Sequence, residues 1–377
     1  MLFDVHGAFV VDSDLDRLLD HCNKLDFSDL YIQTGWPVIA AIHGRKHLII
    51  KRRMRSGEVI DIINALYGYE NASALISTGS PVDTDYDFRP ERGVRHRYRV
   101  NGSGVMVNGS SGIQITIRRL MATPPRKGDI GLTDDVIKMF TGYDNGVAII
   151  SGTTGSGKST TLAAIIRDTL EADEGKIILT AESPIEYVYD ELIDNALGGT
   201  EPSMISSSSI PLNFKSFENA GVAALRRAPD IFLIGEARDA ETIDAVIEGS
   251  NTGHLVWATT HSNGAPMTVR RLIQKYSPEI QSAKMSDLAE ALRVVMSQTL
   301  AKTMDGKRVA IREVLPFTED VREHIMGGES SDVYRLAREA LIHYGTPMIR
   351  AAIPYYDDGI INQDELDKIE RTFGGDR

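Results

Sequence analysis

The chain is short of cysteine, of long apolar runs and of positive charge, and each scarcity excludes something. Its one cysteine, Cys22, cannot close an intramolecular disulfide, so a reducing compartment is expected. Cys22 falls in a predicted helix, where a buried structural thiol is expected. No Cys and no second His stands at ligand spacing from any candidate residue, which excludes a zinc site. No stretch approaches the ~18–20 apolar residues of a membrane span. Met1–His6 has neither the basic start nor the long apolar core of a secretory signal. A cytoplasmic protein is therefore expected, associating with membranes through partners. Lys and Arg number 41 against 53 Asp and Glu, a net charge of −12, which argues against broad contact with a nucleic-acid backbone.

What is present is organised around Gly152-Thr153-Thr154-Gly155-Ser156-Gly157-Lys158-Ser159, which fits the phosphate-binding loop pattern. The apolar run Val147–Ile150 before it reads as a buried strand. Thr160 to Glu171 after it puts Leu162, Ile165, Ile166 and Leu170 on one helical face. In that context the loop N–H groups and the helix N-terminus face phosphate oxygens. Lys158 meets the β/γ-phosphates and the Ser159 hydroxyl ligates Mg²⁺. A nucleoside triphosphate is the expected ligand.

At 377 residues the chain has room for two or three domains. Residues 1–120 read as a small α+β domain. A helix starts at Asp14-Leu15-Asp16, with Asp12 or Ser13 as its expected cap. Strands Asp29–Gln33 and Val38–Ile42 flank a turn at Gly35-Trp36-Pro37, and 57–77 form one helical stripe. Asp83–Asp87 is expected as an edge strand, and Arg95–Val107 with Gly112–Leu120 as a strand pair. Arg92, Arg95, Arg97 and Arg99 alternate, so the odd-numbered ones share a strand face, and Arg118-Arg119 closes the domain. Two readings stand for these arginines, a solvated face or arginine fingers reaching a neighbouring subunit's γ-phosphate.

Residues 121–133 carry the Pro/Gly punctuation of a linker. Thr133 is expected to cap a short helix through Phe140. Strands at 176–180, 230–234 and 254–260 then alternate with helices at 217–227 and 239–250, as in a mainly parallel sheet covered on both faces. Residues 198–213 lack periodicity and are expected to be a surface loop. Gln281–Thr303 is expected as one long amphipathic helix, followed by a strand at 308–315 and a helical remainder with a polar tail. Asp358-Gly359-Ile360-Ile361 through Glu365 resembles half a calcium loop. Pro354 and Tyr356 occupy ligand positions, so Asn362 as a helix cap is the better account.

In an open parallel sheet ligands bind at the carboxyl ends of the strands. Three strands besides the first end in polar groups: Glu182 and Glu186, then Glu236, then His261. A lone Glu is ordinarily a cap or a solvated carboxylate. The convergence of three strand ends beside Lys158 favours a hydrolytic site, with Glu236 positioning the attacking water and Glu186 or Glu182 organising water or metal. His261 is a candidate γ-phosphate sensor, whereas His254 opens its strand at the opposite end.

At these residues the chain resembles the secretion ATPases of the type II/type IV superfamily, the PilT- and VirB11-like motors. The resemblance rests on Gly152–Ser159, on Ile178–Glu186, on Asp230–Asp239 and on Thr252–His261, four boxes in family order. Ser28-Asp29-Leu30 and Arg97-Tyr98-Arg99-Val100-Asn101 extend it into the first domain. Ser183, where the acidic box usually has Asp, and the Ser-rich 198–213 segment are more similar to the DotB- and TraJ-type ATPases of type IVB secretion and conjugation. The resemblance implies an α/β fold: a PAS-like N-terminal α+β domain, a 121–133 linker, a RecA-like core over 134–303 and a mostly helical extension over 304–377. It implies a cytoplasmic hexameric ATPase that uses ATP and Mg²⁺ to power substrate export, recruited to inner-membrane secretion-complex proteins. Pilus retraction and, further off, a RecA-like DNA motor are the alternatives. By the same resemblance Glu236 and Glu186 are catalytic, His254 and His261 belong to the nucleotide-sensing box, and Arg97, Arg99 and Arg118 contact phosphates. Thr160 falls with the nucleotide-binding loop.

Overall fold

The computed structural model describes residues 1–5, 7–69, 71–91, 94–120 and 123–374. His6, Arg92, Met121 and the last residues of the polar tail lie outside them. The chain divides into two compact units, Met1–Ala122 and Thr123–Arg377. The residues from Thr123 to Thr133 thus belong to the second.

The first unit runs α1 (Val11–Lys24), β1 (Phe27–Gln33), β2 (Val38–Ile42), β3 (Arg45–Ile50), α2 (Ser56–Tyr67), α3 (Ala72–Ser77), β4 (Val82–Glu91), β5 (Val94–Val107) and β6 (Ser110–Leu120). Its six strands pair in the order β3-β2-β1-β6-β5-β4, every adjacent pair antiparallel. Alternate residues such as Ile113, Ile115 and Ile117 turn inward against Leu18, Leu19, Ile62 and Ile63 of the helices. Cys22 lies in that core, and burial pushes its thiol up to about 12. The expected stripe over 57–77 is two helices, because Gly68 ends α2 in the left-handed conformation. The expected caps Asp12 and Ser13 are inside α1; the Val10 N–H is instead satisfied by Asp14 Oδ2 at 2.9 Å.

The two charge alternations are halves of one ladder. On the edge strand β4, Asp83 pairs with Arg99, Asp85 and Asp87 with Arg97, and Asp87 also with Arg95, all on β5.

The second unit runs α4 (Asp134–Thr141), β7 (Gly146–Ser151), α5 (Lys158–Glu171), β8 (Ile177–Glu182), α6 (Ile193–Leu197), β9 (Met204–Ser209), α7 (Phe217–Ala224), β10 (Ile231–Ile234), α8 (Ala240–Asn251) and β11 (Leu255–Thr260). It continues with α9 (Ala265–Ile273), α10 (Gln281–Ala291), β12 (Leu292–Lys302), β13 (Arg308–Pro316), α11 (Glu319–Met326), α12 (Val333–Tyr344), α13 (Met348–Asp357) and α14 (Gln363–Phe373). Seven strands form a sheet ordered β13-β12-β7-β11-β10-β8-β9, parallel except for β13. Val147 and Ile149 pack on one face with α8 and α9, Ala148 and Ile150 on the other with α5. Burial on both faces is why these strands read as unbroken apolar runs. Thr133 caps α4 and Asn362 caps α14, as expected.

In this unit two expected elements differ. Residues 204–209 form the edge strand β9, parallel to β8 from Met204 opposite Ile177 to Ser209 opposite Glu182. An edge ladder is made by backbone groups, so a serine run satisfies it without any apolar period. The predicted helix 281–303 ends at Ala291, and β12 takes over next to β7. Leu292, Val294, Val295 and Met296 are buried on both faces of the sheet, and periodicity cannot separate such a run from a buried helix.

Glu58, at the start of α2, accepts from the Phe9 and Arg55 N–H groups, both at 2.7 Å, and from both terminal nitrogens of Arg52. Burial pushes its carboxyl up, but Arg52 and the two N–H groups outweigh burial and hold it down at about 2. A carboxyl so depressed stabilises the fold above its unfolded value near pH 4, and that stability is lost as pH falls toward 2. Glu58→Gln is expected to cost roughly 2–3 kcal/mol at pH 7 and to lessen the loss of stability below about pH 4. Denaturant unfolding across that range checks this; parallel acid losses in variant and wild type would refute it.

Candidate active site

The loop from Gly152 to Gly157 leaves β7 and enters α5, whose first residue is Lys158. Two glycines are required by close approach. A Cβ on Gly152 (φ +146°) would lie 2.4 Å from the Gln298 carbonyl oxygen and 2.5 Å from Ser156 Oγ. A Cβ on Gly157 (φ +85°) would lie 3.0 Å from the Gln298 amide nitrogen. Lys158 Nζ, buried, donates to the Gly152 and Thr153 carbonyls at 2.8 and 3.1 Å. Burial lowers its ammonium pKa, and the negative charges of Glu236 and Glu186 pull it back up.

The sheet register brings the expected residues to one edge. Ser151 of β7 is level with Thr260 of β11, and Ile234 of β10 is level with both Ala258 and Ala181. The segments after β8, β10 and β11 therefore leave beside the loop. Lys158 Nζ lies 3.4 Å from His261 Nδ1, and His261 Nε2 lies 3.5 Å from Glu236 Oε1. With Nδ1 accepting from the ammonium, the ring proton belongs on Nε2, toward the carboxylate. The other Glu236 oxygen, Oε2, takes Arg238 Nε at 2.9 Å. Lys158, His261, Glu236 and Arg238 thus form one chain of contacts. Gly235 holds the turn: its N–H donates to the Ala181 carbonyl at 2.7 Å. Asp239, three residues beyond Glu236, is spent as the cap of α8.

Glu186 is near enough to act on Lys158 electrostatically. Glu182 accepts from Thr180 Oγ1 at 2.8 Å. Thr160 Oγ1 is 2.9 Å from the Tyr187 hydroxyl, a link between α5 and the acidic segment. Ser159, partly exposed, is the first-turn hydroxyl of α5. Among the described residues no group of three or more His, Cys, Asp or Glu is arranged to hold a metal. An open cleft of about 920 Å³ adjoins the loop at Thr153, Thr154 and His261 and extends to Arg271, Arg338 and Phe373.

His254 is not brought to this cluster. It precedes β11 at the amino end of the sheet, where its carbonyl accepts from the Gly146 N–H and its ring meets Thr252 Oγ1 at 3.2 Å. The strand direction forces that separation. In the first unit, Arg97 is buried between Asp85 and Asp87, Arg99 pairs with Asp83, and Arg118 pairs with Asp29 at 2.7 Å while 61% exposed. Sequence reasoning missed Gln298, Arg312 and Tyr187. The first two were hidden by the misread helix and by the sheet pairing behind it, and no sequence signal marks them.

The family model described as "Type II/IV secretion system protein" matches residues 112–360. The chain belongs to the type II/IV secretion system protein family. It superposes on the Legionella pneumophila ATPase DotB with a TM-score of 0.89 at 38% identity, over 99% of each chain. It superposes on the pilus retraction motor PilT, solved with bound ADP, with a TM-score of 0.79 at 27% identity, over 94% of this chain and 96% of that one. It is 31% identical over 321 residues to the type IV pilus retraction ATPase PilT of Pseudomonas aeruginosa, covering 85% of this chain and 88% of the relative. Membership makes it a secretion- or pilus-type ATPase with a nucleotide-binding core. No helix among the described residues is long and apolar enough to cross a membrane.

Gly152→Ala would drive a methyl into backbone, so the loop must open. Binding of a fluorescent ATP analogue is expected to weaken at least about tenfold, with far-ultraviolet circular dichroism unchanged. Wild-type affinity in this variant would contradict the fit.

Proposed function

We propose that this chain hydrolyses ATP to ADP and phosphate at the Gly152–Ser159 loop and powers export through a type IVB secretion system, Dot/Icm-like or conjugative. The contact chain Lys158–His261–Glu236 carries the reading, because it joins the phosphate-binding lysine to a carboxylate across two different strand ends. Lys158 would exchange its carbonyl partners for β/γ-phosphate oxygens. The Ser156 hydroxyl, buried with no hydrogen-bond partner among the described residues, is a further donor in that loop. Ser159 would hold Mg²⁺ together with phosphate oxygens and water, a shell that needs no protein cage. Glu236 would orient the attacking water, Glu186 and Glu182 would order water or the metal shell, and His261 would report the γ-phosphate to Glu236.

Similarity to DotB over nearly the whole of both chains supports the secretion assignment and a position peripheral to an inner-membrane complex, on the cytoplasmic side. Pilus retraction is the second reading, favoured by the curated PilT relative. We assign a hexameric ring in which arginines reach a phosphate held by a neighbouring subunit. Arg118 is the best recruited: an exposed pair such as Arg118–Asp29 is worth about 0–1 kcal/mol. Arg97 is buried and held by Asp85 and Asp87 together, so freeing it costs more.

Lys158→Ala and Glu236→Gln are each expected to lower ATP turnover by at least about 100-fold, and Arg118→Ala by about as much without loss of nucleotide binding. Wild-type turnover in Glu236→Gln would sink the catalytic assignment. With ATP and Mg²⁺, sedimentation should show about six times the 41.5 kDa chain. A monomer under those conditions would refute the ring. Copurified inner-membrane proteins of a pilus rather than a secretion complex would select the second reading.

A further inference from the structure

Gln298 is buried on β12, one residue past the last pairing of that strand with β7, and so beside the start of the phosphate loop. Its backbone carbonyl occupies the space that Gly152 leaves empty. Its side-chain Nε2 donates to the Ser156 carbonyl at 2.7 Å, and its Oε1 accepts from Thr161 Oγ1 at 2.8 Å and from Arg312 Nε at 2.9 Å. Both lone pairs and one N–H are thus engaged. Arg312 stands opposite Gln298 in the β12–β13 register. Its two terminal nitrogens donate to the Ile130 and Gly131 carbonyls, both at 2.9 Å. Those carbonyls belong to the 3-10 turn Lys127–Ile130 and its left-handed cap Gly131. The other end of the turn is tied to two helices, for Lys127 reaches Asp168 of α5 at 3.0 Å and Asp134 of α4 at 2.7 Å.

We propose that Gln298 and Arg312 are positioning residues that set the shape of the phosphate loop and transmit it to the Lys127–Gly131 turn, the opening stretch of the second unit. The inference rests on the nucleotide reading of the loop. The guanidinium is planar, so its Nε bond to Gln298 and its two bonds to the turn move as one body. Its acceptors are three uncharged oxygens. A largely desolvated cation held that way is costly, and burial pushes it down to about 10. Such a chain is rigid while complete and loosens when one member loses its partner. When the Ser156–Gly157 peptide turns the Gly157 N–H toward a phosphate, the Ser156 carbonyl must shift against Gln298 Nε2. The displacement then reaches the turn through Arg312, and from the turn the chain leads back toward the first unit.

Hydrogen exchange on the full-length protein, with and without Mg²⁺ and a non-hydrolysable ATP analogue, tests this. In the wild type, protection is expected to rise both at 152–160 and at 127–133. Arg312→Lys keeps the charge but not the fork. It is expected to retain the rise at 152–160 and to lose at least about three-quarters of the rise at 127–133. Gln298→Glu cannot donate to the Ser156 carbonyl, and is expected to raise KM for ATP about tenfold with a smaller change in kcat. Thr161→Val, which removes one bond to Gln298 Oε1, serves as a milder variant should Gln298→Glu fail to fold, with the same expected direction. An undiminished response at 127–133 in Arg312→Lys overturns the relay. A wild-type loop that does not respond to the analogue overturns the nucleotide reading itself, which sets the two failures apart.

Discussion

The distance between β12 and β7 governs the second unit's chemistry. β12 lies against β7 so closely that the Gln298 carbonyl fills the position of a Cβ on residue 152. Only glycine permits that contact, and only with that contact does the loop curl back until Lys158 Nζ meets the Gly152 and Thr153 carbonyls. The lysine is thereby buried at the head of α5, held by neutral oxygens on one side and by an imidazole on the other. Everything else in the site is arranged with respect to that ammonium.

The sheet supplies the arrangement. Parallel strands in register end at a common level, so residues far apart in sequence emerge together: Glu182 at the end of β8, Glu236 after β10, His261 after β11. Burial disfavours the charge of Lys158 and outweighs the carboxylates, which favour it. Glu236 is divided in the same way between Arg238 on one oxygen and His261 on the other. A carboxylate held by two donors is oriented rather than free, which suits the ordering of a water. The two units treat their charges differently. The first unit balances Arg95, Arg97 and Arg99 against an acidic strand, and leaves Arg118 more exposed than any of the three.

The differences at β12 and β9 have one physical origin. β12 and β9 sit at the two extremes of burial in the same sheet, one flanked on both sides, the other at the edge. A strand covered on both faces shows no alternation, so 292–302 passed for the end of a helix. An edge strand stabilised by backbone pairing needs no apolar face, so 204–209 passed for a loop. The half-covered strands β1, β5 and β6 of the first unit, and the short apolar strands β7, β10 and β11, were legible because flanking turns and neighbouring helices delimit them. Asp14 rather than Asp12 or Ser13 satisfies the start of α1 because the chain enters the helix earlier than its charge pattern suggests.

What the sequence determined by itself is local: the glycine loop with its lysine and hydroxyls, the strand and helix on either side, and the polar residues at strand ends. These depend on spacing along the chain, which folding does not alter. The tertiary structure decided which of those residues meet. It joined His261 to Glu236 and brought in Gln298 and Arg312. Those outcomes follow from strand order and register, set by how two buried faces pack.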